Sequence, residues 1–173
     1  LIDQKNQMWV LLAEGQVGIF NTKTFKFRES TVRTRYKNAI RTSVKKILRD
    51  EKGHVFLLLG GNEVLMYNAE KNEFAPEHSF INIPAEWRVA DFAHQPGTDK
   101  YWICIQGGSM AIYNHATKKL SYPGHNVENE KVVDELANIF LPYGIFFDNK
   151  SRLWFLNWGP GFPYLYCYHL VRK

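Results

Sequence analysis

Cysteine is nearly absent. Cys104 and Cys167 are the only two in 173 residues and stand in different segments, so no disulfide framework holds the fold and both read as small buried apolar residues in mid-strand. Two cysteines do not fix the redox compartment. No stretch approaches the roughly 18 consecutive apolar residues of a membrane-spanning helix, and no basic-then-apolar leader opens the chain. That excludes a span or signal peptide only within these residues, because a chain that opens on Leu1 reads as a piece cut from a longer protein.

Signatures of chemistry are missing too. The six histidines (His54, His78, His94, His115, His125 and His169) show no i, i+4 pair, and no cysteine or carboxylate completes a metal set with them. His54 and His115 read as surface-turn residues. There is no G-x-S-x-G elbow and no phosphate-cradling glycine loop. Glu128 with Glu130, and Asp134 with Glu135, read as a solvated face. No catalytic residue, metal or cofactor is assigned.

Acid is scarce in one window. The net charge is only +5, and no recognisable module accompanies it, so nucleic acid is not expected as a partner. Yet Arg28, Arg33, Arg35, Lys37, Arg41, Lys45, Lys46 and Arg49 crowd together, with Glu29 the sole acid before Asp50. Val32, Tyr36, Ile40, Val44 and Leu48 recur every four residues, which suits a basic amphipathic helix, or the window is a patch that touches an acidic partner. The repeat described next favours a solvated loop and then a strand from Val44 to Leu48.

Aromatic residues, at 15%, are abundant and ordered. The stretch from Gly53 to Asn68 is written four times: Asn6 to Asn21, Gly53 to Asn68, Asp99 to Asn114, and from Ser151 through Tyr166. In each copy an aromatic (Trp9, Phe56, Trp102, Trp154) opens an apolar run, glycine follows, and a second run ends on another aromatic (Phe20, Tyr67, Tyr113, Tyr166). The two aromatics stand 11 residues apart in three copies and 12 in the last, the spacing of a hairpin with a short turn. Opening aromatics follow one another at 47, 46 and 52 residues. A strand-built repeat of about 40–50 residues is the range of β-propeller blades, each of which buries its faces only against neighbours. The expected fold is therefore all-β, an arc of about four antiparallel propeller blades in one segment, approximately 1–43, 44–86, 87–143 and an incomplete 144–173.

Three copies are preceded by a strand running into Asp and a short polar turn: Leu1 to Trp9, Lys46 to Phe56, and Ile145 to Trp154. That pattern, with its Gly turn and Tyr-Asn ending, resembles the two-component regulator propeller repeat. The third copy departs from it, with His94-Gln95-Pro96-Gly97 in place of the Asp turn, and the Gly-Leu that the family favours after the turn is replaced in three copies. The resemblance implies the periplasmic sensor region of a hybrid histidine kinase, with the kinase elsewhere in the parent protein and oligosaccharide as ligand. It also implies membrane contact only through that parent, and other blades or a second copy (a dimer) as partners.

Between the copies, Phe80 to Pro84 is expected as an outer strand, Trp87 to His94 as an inner strand, and Asn126 to Phe140 as one short helix capped by Asn126 or Asn129. The fourth hairpin turn, Asn157 to Pro163, is longer and carries Trp158 and Phe162 on a Pro/Gly loop, suited to stacking on a sugar ring or a partner chain. Aromatics at repeat positions belong to packing between blades. The candidate ligand-binding residues are those on loops: Trp87, Arg88, Tyr143, Trp158, Phe162 and Tyr164. The leading function is non-catalytic sensing. The alternatives are a propeller lyase or hydrolase acting on carbohydrate, for which His94 and His125 would be the first residues to test, and a protein-interaction scaffold.

Overall fold

Apolar runs punctuated by Asp, Asn and Gly turns dictate antiparallel sheet. The computed structural model describes residues 1–3, 5–13, 15–37, 42–159, 161 and 163–170, and its strands form four sheets. Two sheets lie in each of two compact units, Leu1–Ala85 and Glu86–Lys173.

In the first unit, β1 (Met8–Leu11), β2 (Val17–Asn21) and β3 (Lys26–Glu29) form one meander, which we call blade 1. Blade 2 is built from β5 (Val44–Arg49), β6 (Val55–Leu59), β7 (Val64–Asn68) and β8 (Glu73–Ser79), with β4 (Thr31–Val32) added parallel to β8. In the second unit, blade 3 is β9 (Val89–His94), β10 (Lys100–Ile105), β11 (Ser109–Asn114) and β12 (Lys119–Ser121). Helix α1 (Lys131–Glu135) leads to blade 4, made of β13 (Pro142–Phe147), β14 (Arg152–Trp158) and β15 (Pro163–His169). All four expected hairpins are present, with Trp9 opposite Ile19, Phe56 opposite Met66, Trp102 opposite Ile112 and Trp154 opposite Cys167.

Each unit buries its core between its two blades, as a repeat that cannot hide its apolar faces alone must do. In unit 1, Trp9, Val17 and Ile19 of blade 1 meet Val55, Leu57 and Leu59 of blade 2. In unit 2, Trp102, Cys104, Met110 and Ile112 of blade 3 meet Ile145, Leu153 and Phe155 of blade 4, with Val132 and Val133 of α1 filling the remainder. Asp91 ties the two inner strands together: its Oδ2 accepts the Ile145 N–H at 2.9 Å and its Oδ1 the Phe92 N–H at 2.7 Å.

The Asp turn has a physical purpose. Asp3 Oδ1 accepts the Lys5 and Gln7 amides, both at 2.9 Å, while Oδ2 accepts the Trp9 indole N–H at 2.9 Å. Asp148 repeats this with the Lys150 and Arg152 amides and the Trp154 indole, and adds the Arg152 guanidinium. One carboxylate thus folds the turn and anchors the aromatic six residues on. In blade 2 the aromatic is Phe56, which has no N–H to donate, and Asp50 binds the His54 amide and ring instead. In blade 3 the Gln95 side-chain oxygen takes the Trp102 indole N–H at 2.9 Å. The departure seen in the third copy therefore divides the device: an amide oxygen replaces the carboxylate for the indole, and Thr98 Oγ1 accepts the turn amide of Lys100 at 3.1 Å.

Burial alone would raise the Asp148 carboxyl, but the bonds from Trp154, Arg152 and Lys150 outweigh it and hold it well below its ordinary value of 3.8. A depressed folded-state value contributes stability above the unfolded value that is lost as pH falls through and below it. Asp148→Asn is expected to flatten the stability-against-pH curve below about pH 4, measured by urea unfolding at stepped pH; an unchanged acid limb would contradict this.

Several local expectations are corrected. The outer strand of blade 2 is β8, not Phe80 to Pro84, because Asn68 Oδ1 caps a tight turn by accepting the Glu70 and Lys71 amides and the chain re-enters the sheet at once. The helix is only α1. Its apolar spacing continues to Phe140, but Ile139 and Phe140 lead into Pro142, which disfavours helix just before it. Neither Asn126 nor Asn129 is its N-cap: that position is Glu130, which makes no side-chain cap bond, and Asn126 Oδ1 instead accepts the Glu130 amide at 2.8 Å in the loop before it. Of the amphipathic-helix positions, Val32, Val44 and Leu48 are in strands and Tyr36 is in neither strand nor helix, while Ile40 lies outside the described residues.

Arg33 and Arg35 of the basic window pair with Glu73, Glu77 and Glu63 of blade 2. Cys104 is buried as expected, whereas Cys167 on β15 is exposed, and neither is in a disulfide. The four helix-side carboxylates are more than a solvated face. Glu128 accepts Asn114 Nδ2 and Thr117 Oγ1, Glu130 pairs with Lys100 at 2.6 Å, Asp134 accepts Asn126 Nδ2, and Glu135 pairs with Lys131 and accepts the Tyr168 hydroxyl.

Candidate binding surface

Antiparallel pairing decides which loops of unit 2 share an end. The inner strands β9 and β13 begin where the β10–β11 and β14–β15 hairpins turn, since Ile105 lies opposite Val89 and Asn157 opposite Pro142. Backbone bonds knit these loops into one rim. The Gln106 N–H donates to Arg88 O at 2.8 Å, Gly107 to Phe140 O at 2.8 Å, and Trp158 to Leu141 O at 3.1 Å. Asn157 Oδ1 adds the Leu141 amide at 3.0 Å.

The structure sorts the candidate residues. Trp87 is half-buried, edge-on to Tyr122 at 4.9 Å, so its ring serves packing within blade 3. Arg88 is exposed at the start of β9. Tyr143 is half-buried on β13 opposite Leu156, beside a register shift where Gly144 takes φ +63°; the bulge bends the strand at the rim. Trp158 (52% exposed) and Tyr164 (54%) stand open on the fourth hairpin, with the Tyr164 ring lying over Gly159. Phe162 lies outside the described residues. Arg88, Tyr143, Trp158 and Tyr164 therefore share one end, while Trp87 turns inward there.

Sequence reasoning missed Phe140, 62% exposed on the same rim, because its spacing had placed it in a helix. The pointer was Pro142, two residues on. The rim offers open aromatic faces on the fourth hairpin and on the loop of Phe140, with a guanidinium just before β9, an arrangement able to stack on the C–H face of a sugar ring or on a partner's side chain.

His94 lies elsewhere, its Nε2 meeting the Thr98 carbonyl at 2.8 Å at the far end of β9 from Arg88, while His125 packs on Tyr122, the ring that Trp87 meets edge-on. Among the described residues, no three His, Cys, Asp or Glu side chains gather as a metal set. None of the described helices is long and apolar enough to cross a membrane.

Four antiparallel sheets repeated at this period, with faces packed blade on blade, define a β-propeller segment. No protein-family model and no curated protein matches the chain. Solved structures do. The extracellular domain assigned to the hybrid two component system BT4673 of B. thetaiotaomicron aligns over 100% of this chain and 24% of its own, at 12% identity and a TM-score of 0.65. That of BT3049 from the same organism aligns over 94% of this chain and 19% of its own, at 15% identity and 0.54. YCF48 from Cyanidioschyzon merolae aligns over 90% of this chain and 46% of its own, at 13% identity and 0.57. The likeness is one of fold, and the chain spans about a quarter of the BT4673 domain.

Proposed function

We propose that this chain is a ligand-sensing propeller segment of an extracytoplasmic two-component sensor, that oligosaccharides are its ligand class, and that the kinase module lies elsewhere in the parent protein. The observation that carries this reading is the rim of unit 2, where Phe140, Trp158 and Tyr164 hold large apolar rings open to solvent beside Arg88. Ring faces held by hairpins lose little freedom on binding, which favours recognition of a rigid ligand. The fold likeness to extracellular sensor domains supports the same reading. In it the segment binds and does not turn over its ligand, and binding alters how propeller blades pack against their partners.

Calorimetric titration with a panel of neutral oligosaccharides tests it. Trp158→Ala and Tyr164→Ala are each expected to weaken a binding saccharide about tenfold, the equivalent of about 1.4 kcal/mol per ring. Phe25→Ala, at a ring 79% exposed in unit 1, should leave binding unchanged. Unaltered binding in both rim variants would remove the rim from the proposal.

A further inference from the structure

Unit 1 holds a cleft of about 390 Å³ between the Asp3 turn of blade 1 and the Asp50 turn of blade 2. Its lining includes Lys5, Arg28, Lys52 and His54, with Trp9 and Tyr67 beneath. The two turns bring Lys5 and Lys52 together across nearly fifty residues of sequence, because each Asp turn projects its polar loop at the same place in its blade, and Arg28 joins them from β3.

Two nearby acids are engaged by their own turns. Asp3, 7% exposed, has both oxygens engaged, by the Lys5 and Gln7 amides and by the Trp9 indole. Asp50, 2% exposed, accepts the His54 amide and ring nitrogen. Both carboxylates are committed to holding the turns, while Lys5, Arg28 and Lys52 are exposed. Neither Glu51 nor Glu29, the acids adjacent in sequence, lines the cleft. The result is a concave wall lined by three exposed cations and by His54, and among the described residues its only lining carboxylate is Asp3.

We propose that this cleft is a binding site for a small ligand bearing an oxyanion group, a sulfate, phosphate or carboxylate. The arginine fork suits two oxygens of such a group, and the lysines supply point charges at either side. Tyr67 is fixed below them by its hydroxyl bond to Asn72 at 2.9 Å and by edge-on contact with Trp9 at 4.6 Å, so the floor is rigid before a ligand arrives. The proposal is independent of the aromatic rim in unit 2 and stands or falls without it.

The test uses the full chain and four probes: inorganic sulfate, inorganic phosphate, glucuronate and, uncharged, glucose. Titration followed by amide chemical shifts is expected to show at least one oxyanion binding where glucose does not, with the largest shifts at Gly53 and His54, and with affinity falling about tenfold between roughly 0.02 and 0.2 M salt. Which anion binds distinguishes a tetrahedral ester from a carboxylate source. Replacing Lys5, Arg28 and Lys52 together by Gln should weaken that binding at least about tenfold. Replacing Lys23, Lys118 and Lys150 by Gln removes equal charge from other turns and should change it less than about twofold. Equal losses in the two triple variants would assign the effect to net charge, and no oxyanion binding above glucose would also overturn the proposal. Should the first triple fail to fold, the location of the shifts in the unaltered chain decides: shifts away from Gly53 and His54 refute the site.

Discussion

Trp102→Ala is expected to cost about 3–5 kcal/mol, whereas Trp154→Ala, at the same place in the repeat, should cost about 1–2 kcal/mol. Trp102 is 1% exposed, lies between blades 3 and 4, and meets Phe147 edge-on at 5.8 Å. Its removal leaves a cavity that the sheets on both sides cannot close and strips the Gln95 oxygen of its donor. Trp154 also gives its indole N–H to an acceptor, Asp148, but its ring stacks on Phe146, itself 51% exposed. Truncation there opens onto solvent and creates no enclosed void. Urea unfolding of both variants measures the difference, and equal costs would contradict the assignment of the two faces.

That difference leads to the second large effect: the isolated chain is expected to self-associate through the outer face of blade 4, and Leu165→Glu should return it to monomer. Pairing places Phe146, Trp154 and Cys167 on one face, with Leu156 opposite Leu165 beside them. The corresponding positions of blade 3, Trp102, Cys104, Met110 and Ile112, are buried against blade 4. On blade 4 they are open, Leu165 at 62% and Phe146 at 51%. A contiguous apolar sheet face of this kind seeks another blade, and in a solution of the chain alone the available blade belongs to a second copy. Sedimentation velocity over a concentration series checks this. A clean monomer at high concentration, or association unaffected by Leu165→Glu, would count against it.

The hairpins were legible because an aromatic, a glycine turn and a second aromatic recur at nearly constant spacing, and tertiary packing reinforces what that local pattern favours. The Asp turns were legible as a pattern but not as a mechanism. Only the geometry shows that Asp3 and Asp148 anchor an indole, and that Gln95, one methylene longer, does the same seven residues before Trp102. Helix length was misjudged because periodicity from Val127 to Phe140 is blind to the loop that Pro142 imposes. The sharing of one end by Arg88, Tyr143, Trp158 and Tyr164 depends on strand direction and register, which spacing alone does not report. Nor could sequence separate Cys104 from Cys167. Both sit in apolar strands, but only Cys104 has a further blade packed over it.

Native mass spectrometry of the chain with an oligosaccharide panel tests the central claim, recognition without turnover, most directly. The account predicts complexes whose ligand mass is unchanged, and their loss in Trp158→Ala. Product masses released by the chain, or no saccharide complex at any concentration tried, would contradict it.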